Sequence, residues 1–148
     1  MQAENFDSMT IEEVQSEIIE EFSVFTDWMD KYAYLIELGN ELPNLDPKEK
    51  TDQHLIKGCQ SRVWLVADMA DGKINFRGES DAVIVKGLVA LLLRVVSGRT
   101  AREIIENELH FIDDLGLKQH LSPTRSNGLL AMVKQIRLYA VAYNKIAG

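Results

Sequence analysis

The chain has 148 residues, 46% of them hydrophobic and 26% charged, a composition that suits one globular domain with its own core and excludes a disordered or fibrous chain. Its formal net charge of −7, from 23 acidic against 16 basic side chains, lacks the cationic surplus that binding to phosphate backbones demands, so nucleic acid is not an expected partner. The single cysteine rules out an internal disulfide and suits a reducing compartment, which points to the cytoplasm.

Met1 to Ser8 is polar and acidic, without the basic, apolar and small-residue succession of a secretory leader. Residues 1–10 are expected at the periphery of one domain spanning 1–148. Ile11, Val14, Ile18, Phe22 and Phe25 then recur at helical spacing behind Thr10, which with Glu13 makes a capping box. A second helix is predicted from near Asp27, with Trp28, Tyr32, Leu35 and Ile36 on one side and Gly39 as its left-handed terminal residue. Residues 41–53, with Pro43, Pro47 and alternating charges, read as a loop.

The period then switches to two. Val63, Leu65, Ala67 and Met69 share one face of an extended run, and Ile74 and Phe76 share one face of the next. Asp71-Gly72 between the runs predicts a type I′ hairpin, because both central residues must take positive φ. A short third strand is expected over residues 53–57, since a two-stranded ribbon is marginal without a third strand or a covering helix. Helices follow over 80–96, 100–108 and 122–146. The middle one opens on the capping box Thr100/Glu103, and the last has Ser122 as N-cap, Pro123 in its first turn and an apolar stripe of Leu129, Met132, Val133, Ile136, Ala140 and Tyr143. The most apolar segment, Val83 to Val96, is broken by Lys86 and Arg94 and is shorter than the roughly 20 residues of a membrane span, so no membrane association is expected. Consecutive strands joined by a tight turn, with helices around them, make the fold class α+β, a small antiparallel three-stranded sheet flanked by helices.

Few residues are candidates for chemistry. One cysteine and the scattered His54, His110 and His120 match no metal-ligand spacing, so no metal site is expected, and one thiolate cannot hold an iron–sulfur cluster that takes four ligands. Phosphate-binding glycine loops and a GxSxG elbow are both absent. Asp113 and Asp114 are adjacent and fit a solvated turn better than an acid–base pair. Cys59 remains. A lone cysteine is commonly a small buried hydrophobe, but this one lies in Lys57-Gly58-Cys59-Gln60-Ser61-Arg62, polar and glycine-containing, between two extended runs. Lys57 and Arg62 are near enough in sequence to favour its thiolate, the nucleophilic form, and loop N–H groups facing the sulfur would add to that.

Three blocks then carry a resemblance. HLIKGCQSRVW around Cys59, GESDAVIVKGL over 78–88 and QHLSPTRSNGL over 119–129 resemble, in this order and spacing, the GCQSxVW, GxSDAxIVKGL and QHLxPxRSxGL segments of the SufE family. The likeness runs from about Phe25, through the YLIELG run, to the C-terminal helix. It implies a SufE/IscU-like fold and a sulfur-transfer protein of iron–sulfur cluster assembly. Cys59 would take a sulfane sulfur as a persulfide from a cysteine desulfurase, SufS- or CsdA-like, stimulate that enzyme, and pass the sulfur to a SufBCD-like scaffold complex. No cofactor is implied for this chain, the pyridoxal phosphate belonging to the desulfurase; it is a carrier rather than a stand-alone enzyme. The resemblance also assigns supporting places to Gly58 and Gln60 beside the cysteine and to Asp81 and Arg125, which would hold or release the cysteine loop and shape the partner surface. Asp81 alternatively sits in a helix's first turn for the dipole alone, and Arg125 is alternatively a plain surface charge. Gln60 would orient Cys59 or merely cap the loop, Trp64 reads as core, and His120 as a packing or capping residue. Two other functional classes stay open: a desulfurase-binding activator that carries no sulfur, and a cysteine hydrolase using Cys59 with one of the histidines.

Overall fold

The computed structural model describes residues 9–147. The first helix, α1 (Ile11–Ser23), starts where the capping box requires: the Glu13 N–H donates to Thr10 Oγ1 at 3.0 Å and the Thr10 N–H to Glu13 Oε1 at 2.8 Å. Ile11, Val14, Ile18 and Phe22 are buried on one side. Gln15, also fully buried, is satisfied at both ends of its amide, donating to the Glu108 carbonyl (3.0 Å) and accepting from the Phe111 N–H (3.0 Å). A buried amide so paired fixes the position of a distant turn without a desolvation penalty. Of the N-terminal stretch, residues 1–8 lie outside the described residues; Met9 packs against the core and its carbonyl accepts from Arg99, while Thr10 caps.

Helix α2 (Trp28–Asn40) is capped by Asp27, whose carboxylate accepts from the Asp30 N–H at 2.9 Å. Gly39 is not a left-handed terminator. It lies within the helix, which ends in a right-handed cap at Glu41. Its glycine serves a helix crossing instead: a Cβ there would stand 2.7 Å from the backbone nitrogen of Gly87 on α3 (Val83–Val96). Gly87 in turn faces the α2 backbone at Leu35, so the two helices meet main chain to main chain.

Strands β1 (Val63–Ala70) and β2 (Lys73–Ser80) form the expected hairpin, in register from Val63 opposite Ser80 to Ala70 opposite Lys73. Asp71 (φ 53°) and Gly72 (φ 77°) make the turn. Among the described residues the sheet has two strands, not three. The expected third strand shrinks to one bridge, Leu55 opposite Trp64, held by the Ile56 N–H on the Val63 carbonyl (2.8 Å) and the Leu65 N–H on the His54 carbonyl (2.9 Å). Pairing stops on one side because residues 51–54 are bent into turns, the His54 N–H donating to the Thr51 carbonyl. On the other side it stops at Lys57-Gly58, where Gly58 takes φ +92° and turns the chain away. A covering helix supplies what the missing strand does not: α3 lies over β2 so closely that a Cβ on Gly78 would stand 3.0 Å from Val89 Cγ1.

Helix α3 is the hub of the core, with Val85, Leu88, Val89, Leu91, Leu92, Leu93, Val95 and Val96 all buried. Burying side chains of this size contributes about 1.5–3 kcal/mol each. The outer face of β1 is covered as well: Trp64 and Val66 pack with Leu45 and Leu55. The 41–53 loop is pinned there by Glu79, which accepts from the Leu45 N–H (2.7 Å) and pairs with Lys50 (2.9 Å). After α4 (Ala101–Glu106), capped by Thr100 and Glu103, come two four-residue helices that the sequence pattern does not predict, α5 (Phe111–Asp114) and α6 (Leu117–His120). Asp113 and Asp114 are exposed, paired with Lys118 (3.2 Å) and His110 (2.5 Å). The long helix α7 (Pro123–Ala147) closes the domain, with the Ser122 hydroxyl accepting from the Arg125 N–H at 3.3 Å. Leu129, Met132, Ile136 and Ala140 are buried from its predicted stripe, and Tyr143 donates to the Ala67 carbonyl at 3.1 Å.

Candidate functional site

Cys59 is half-buried, on the loop that leaves Ile56 and re-enters the sheet at Val63. Both feet of that loop are tied. At one, the Ile56–Val63 hydrogen bond closes the base. At the other, three contacts hold Arg62: its N–H donates to Asp81 Oδ1 (3.1 Å), and its carbonyl accepts from the Asp81 N–H (3.3 Å) and the Ser80 hydroxyl (2.9 Å). The tip leans on α7. The Cys59 thiol donates to the Gly128 carbonyl at 3.5 Å, and Gly58 lies against Ala131, one turn further along the same helix. A Cβ added at Gly128 would stand 3.5 Å from the Cys59 sulfur, at ordinary contact distance, so the helix leaves room for the cysteine beside a small residue and not beside a larger one.

Beside the thiol lies a cleft of about 20 Å³ bounded by Gln60, Ser61, Val85, Arg125, Gly128 and Met132. That is room for about one water-sized atom. Burial pushes the Cys59 thiol above its ordinary pKa. The expectation that Lys57 and Arg62 favour its thiolate is therefore not met in this conformation. The loop sends Lys57 to a different groove, with Leu55 and Lys134, and the Arg62 backbone is engaged by Ser80 and Asp81. Among the described residues the one cation bounding the cysteine cleft is Arg125.

Of the five residues singled out from the sequence, Cys59, Gln60 and Arg125 share the cleft, Gly58 provides the turn that brings the loop onto α7, and Asp81 stands at the loop's foot. No hydrogen bond among the described residues joins Gln60 to Cys59. None of the three histidines is among the described residues that bound the cleft. His54 bonds the Glu49 carbonyl (2.8 Å), and His120 stacks on Trp28 at 4.1 Å while its carbonyl accepts from Tyr32. His110 sits between Glu12 and Asp114, whose hydrogen bonds, Asp114's foremost, raise its pKa. Among the described residues no group of three or more His, Cys, Asp or Glu side chains is placed to hold a metal ion, and no helix is long and apolar enough to cross a membrane.

The family model described as SufE, an Fe–S metabolism associated domain, matches residues 16–140. The chain belongs to the SufE family. An uncharacterised SufE-like protein from Rhizobium meliloti (strain 1021) is 42% identical over 126 residues, covering 82% of this chain and 90% of the relative. A hypothetical protein from Thermus thermophilus, solved in solution, superposes with a TM-score of 0.71 at 21% identity, over 87% of this chain and 94% of the other; at that identity it shows a shared fold. Membership in the SufE family associates the chain with Fe–S metabolism.

Within this SufE fold the three sequence blocks converge. The first supplies Cys59 and Gln60, the second Ser80, Asp81 and Val85, and the third Arg125 and Gly128. Sequence reasoning missed Gly128, Ser80 and Ala131 as parts of the site. Gly128 had a signal: an interior helical glycine costs about 1 kcal/mol relative to alanine, and close approach of another segment is the usual reason for one. Ser80 had one too, as a fixed position of the GxSDAxIVKGL segment, and Ala131 had none.

Proposed function

We propose that Cys59 is a sulfur acceptor that takes a sulfane sulfur as a persulfide from a pyridoxal-phosphate cysteine desulfurase, SufS- or CsdA-like, and delivers it in the cytoplasm to a SufBCD-like iron–sulfur scaffold. The observation that carries this reading is the pairing of a lone thiol with a cleft that has room for about one more atom, on a loop that is hydrogen-bonded at its feet and rests its tip on α7 through a weak thiol contact and Gly58. Cys59 thiolate attacks the outer sulfur of the donor's persulfide. The donor's sulfur–sulfur bond breaks, its cysteine leaves as a thiolate, and a new sulfur–sulfur bond forms on Cys59. One such bond is exchanged for another, so no outside oxidant or reductant enters.

The resting state suits storage better than attack. Burial keeps the thiol protonated, and the walls of the cleft keep other thiols and oxidants from a loaded persulfide. Attack then requires the loop to leave Gly128, which ends that burial. Asp81 holds the foot about which the loop would move, and Arg125 is a cation at the mouth, suited to a persulfide anion or to the donor's surface.

Cys59→Ser separates carriage from mere activation. The variant is expected to bind the desulfurase and to lose at least about nine-tenths of the stimulation of its turnover in the absence of reductant, because the donor's persulfide is no longer cleared. Full stimulation by the variant under those conditions leaves a docking activator and removes the carrier reading.

A further inference from the structure

On the other side of the cysteine loop from the thiol cleft lies a larger groove, about 510 Å³, that the proposed chemistry does not use. One wall is the segment before the loop, where the alternate residues Gln53, Leu55 and Lys57 border the groove. The other is α7, with Ala131, Lys134 and Leu138 at helical spacing. From Ala131 to Leu138 the helix rises about 10 Å, the length of roughly three residues of extended chain. Leu138 is 52% exposed, a large apolar side chain left in water beside two lysines.

The electrostatics select an occupant. Among the described residues neither Lys57 nor Lys134 enters an ion pair, and the one acid at the groove is Asp52. Helix α7 carries Arg125, Lys134, Arg137 and Lys145 and no Asp or Glu, in a chain whose net charge is −7. Two lysines against one aspartate beside an exposed leucine, on a protein of net charge −7, are complementary to a segment carrying a carboxylate and an apolar side chain. The groove also adjoins the loop's turn: Lys57 borders it, and the next residue, Gly58, rests on Ala131, the residue that α7 contributes to both.

We propose that this groove docks a short extended segment of the sulfur-donating protein, bearing a carboxylate that sits between Lys57 and Lys134 and an apolar side chain that covers Leu138 and Leu55. The proposal rests on the reading of Cys59 as an acceptor of a donor protein's sulfur. It names the donor because the donor meets the unloaded chain, whose thiol is closed against Gly128, and so needs a handle outside the thiol cleft. A segment seated here presses on the loop at Lys57-Gly58 and loosens the contact of its tip with α7.

The test measures the affinity of the full chain for a purified cysteine desulfurase by titration calorimetry, for the wild type and for Lys134→Glu, Leu138→Asp and the pair together. Cys59 loading by an inorganic polysulfide is read in parallel. The double variant is expected to bind the desulfurase at least about tenfold more weakly, with polysulfide loading unchanged. Lys134→Glu alone, at an exposed helical position, keeps the test valid if Leu138→Asp disturbs folding, and its affinity is expected to fall about threefold, less at high salt. Equal affinity of wild type and variants, or no binding by the wild type, overturns the groove as a donor site. So does self-association of the wild type that the variants abolish while donor binding stays intact. A wild type that binds the desulfurase but never gains sulfur on Cys59 defeats the acceptor reading alone, since the affinities still report on the groove.

Discussion

Gly87→Ala is expected to destabilise the protein by about 3 kcal/mol or more, lowering the thermal midpoint by roughly 10 °C. The β-carbon added on α3 would enter the Leu35 carbonyl group of α2, 2.7 Å from its carbon, and the atoms it meets are backbone, which no rotamer change can move. Relief requires the two helices to separate. Because α3 carries the centre of the core, separation opens contacts well beyond the crossing. Gly39→Ala tests the same crossing from the other side, its β-carbon meeting the Gly87 nitrogen at 2.7 Å, and a midpoint within about 2 °C of the wild type for both variants would show that the helices do not meet this closely. The measurement is a thermal melt followed by circular dichroism.

The second large effect concerns reactivity. Gly128→Ala adds an atom at ordinary contact distance from the cysteine, 3.5 Å from its sulfur, and also gains helix propensity worth about 1 kcal/mol, so it is expected to be folded and slightly more stable. Gly128→Leu cannot share that space with the thiol and is expected to expel the loop. The sign of the consequence follows from the cause of the pKa. Burial disfavours the thiolate and moves the rise of reactivity to higher pH; expulsion ends the burial and brings that rise back toward the ordinary value near 8.5. At pH 7.5, alkylation of Cys59 by iodoacetamide should be faster in Gly128→Leu than in the wild type, and the rise of its rate should come at lower pH. Identical rate–pH profiles for the two proteins would mean that Gly128 does not shelter the cysteine.

Local signals in the sequence were strong where a side chain's chemistry acts on its own backbone. Thr10/Glu13 and Thr100/Glu103 start their helices as read, Asp71-Gly72 makes the hairpin turn, and Ser122-Pro123 opens the last helix. The misreadings arise where tertiary contact decides. Gly39 has the composition of a helix terminator, and only the approach of α3 makes it an interior crossing residue. Residues 53–57 alternate like a strand, but the turns on either side restrict pairing to Leu55. The four-residue helices α5 and α6 are too short to show a period.

The site was legible to a similar degree. Cys59 and its neighbours were found through the motif, and the cleft brings Gln60 and Arg125 to it across distances that spacing alone does not encode. The charge argument for an activated thiolate failed because nearness in sequence is not nearness in space: the turn at Gly58 parts Lys57 from the sulfur, while Arg125, 66 positions away, shares its cleft. The seat at Gly128 and Ala131 depends on small side chains under another segment, a relation that exists only after folding.

The most direct test of the acceptor reading is intact mass spectrometry after incubation with a cysteine desulfurase and L-cysteine, with Cys59→Ser alongside. The account predicts a species heavier by the mass of one sulfur atom, about 32 Da, that reductant removes and the variant never shows. A wild-type chain that stays at its original mass while desulfurase turnover is stimulated would contradict it.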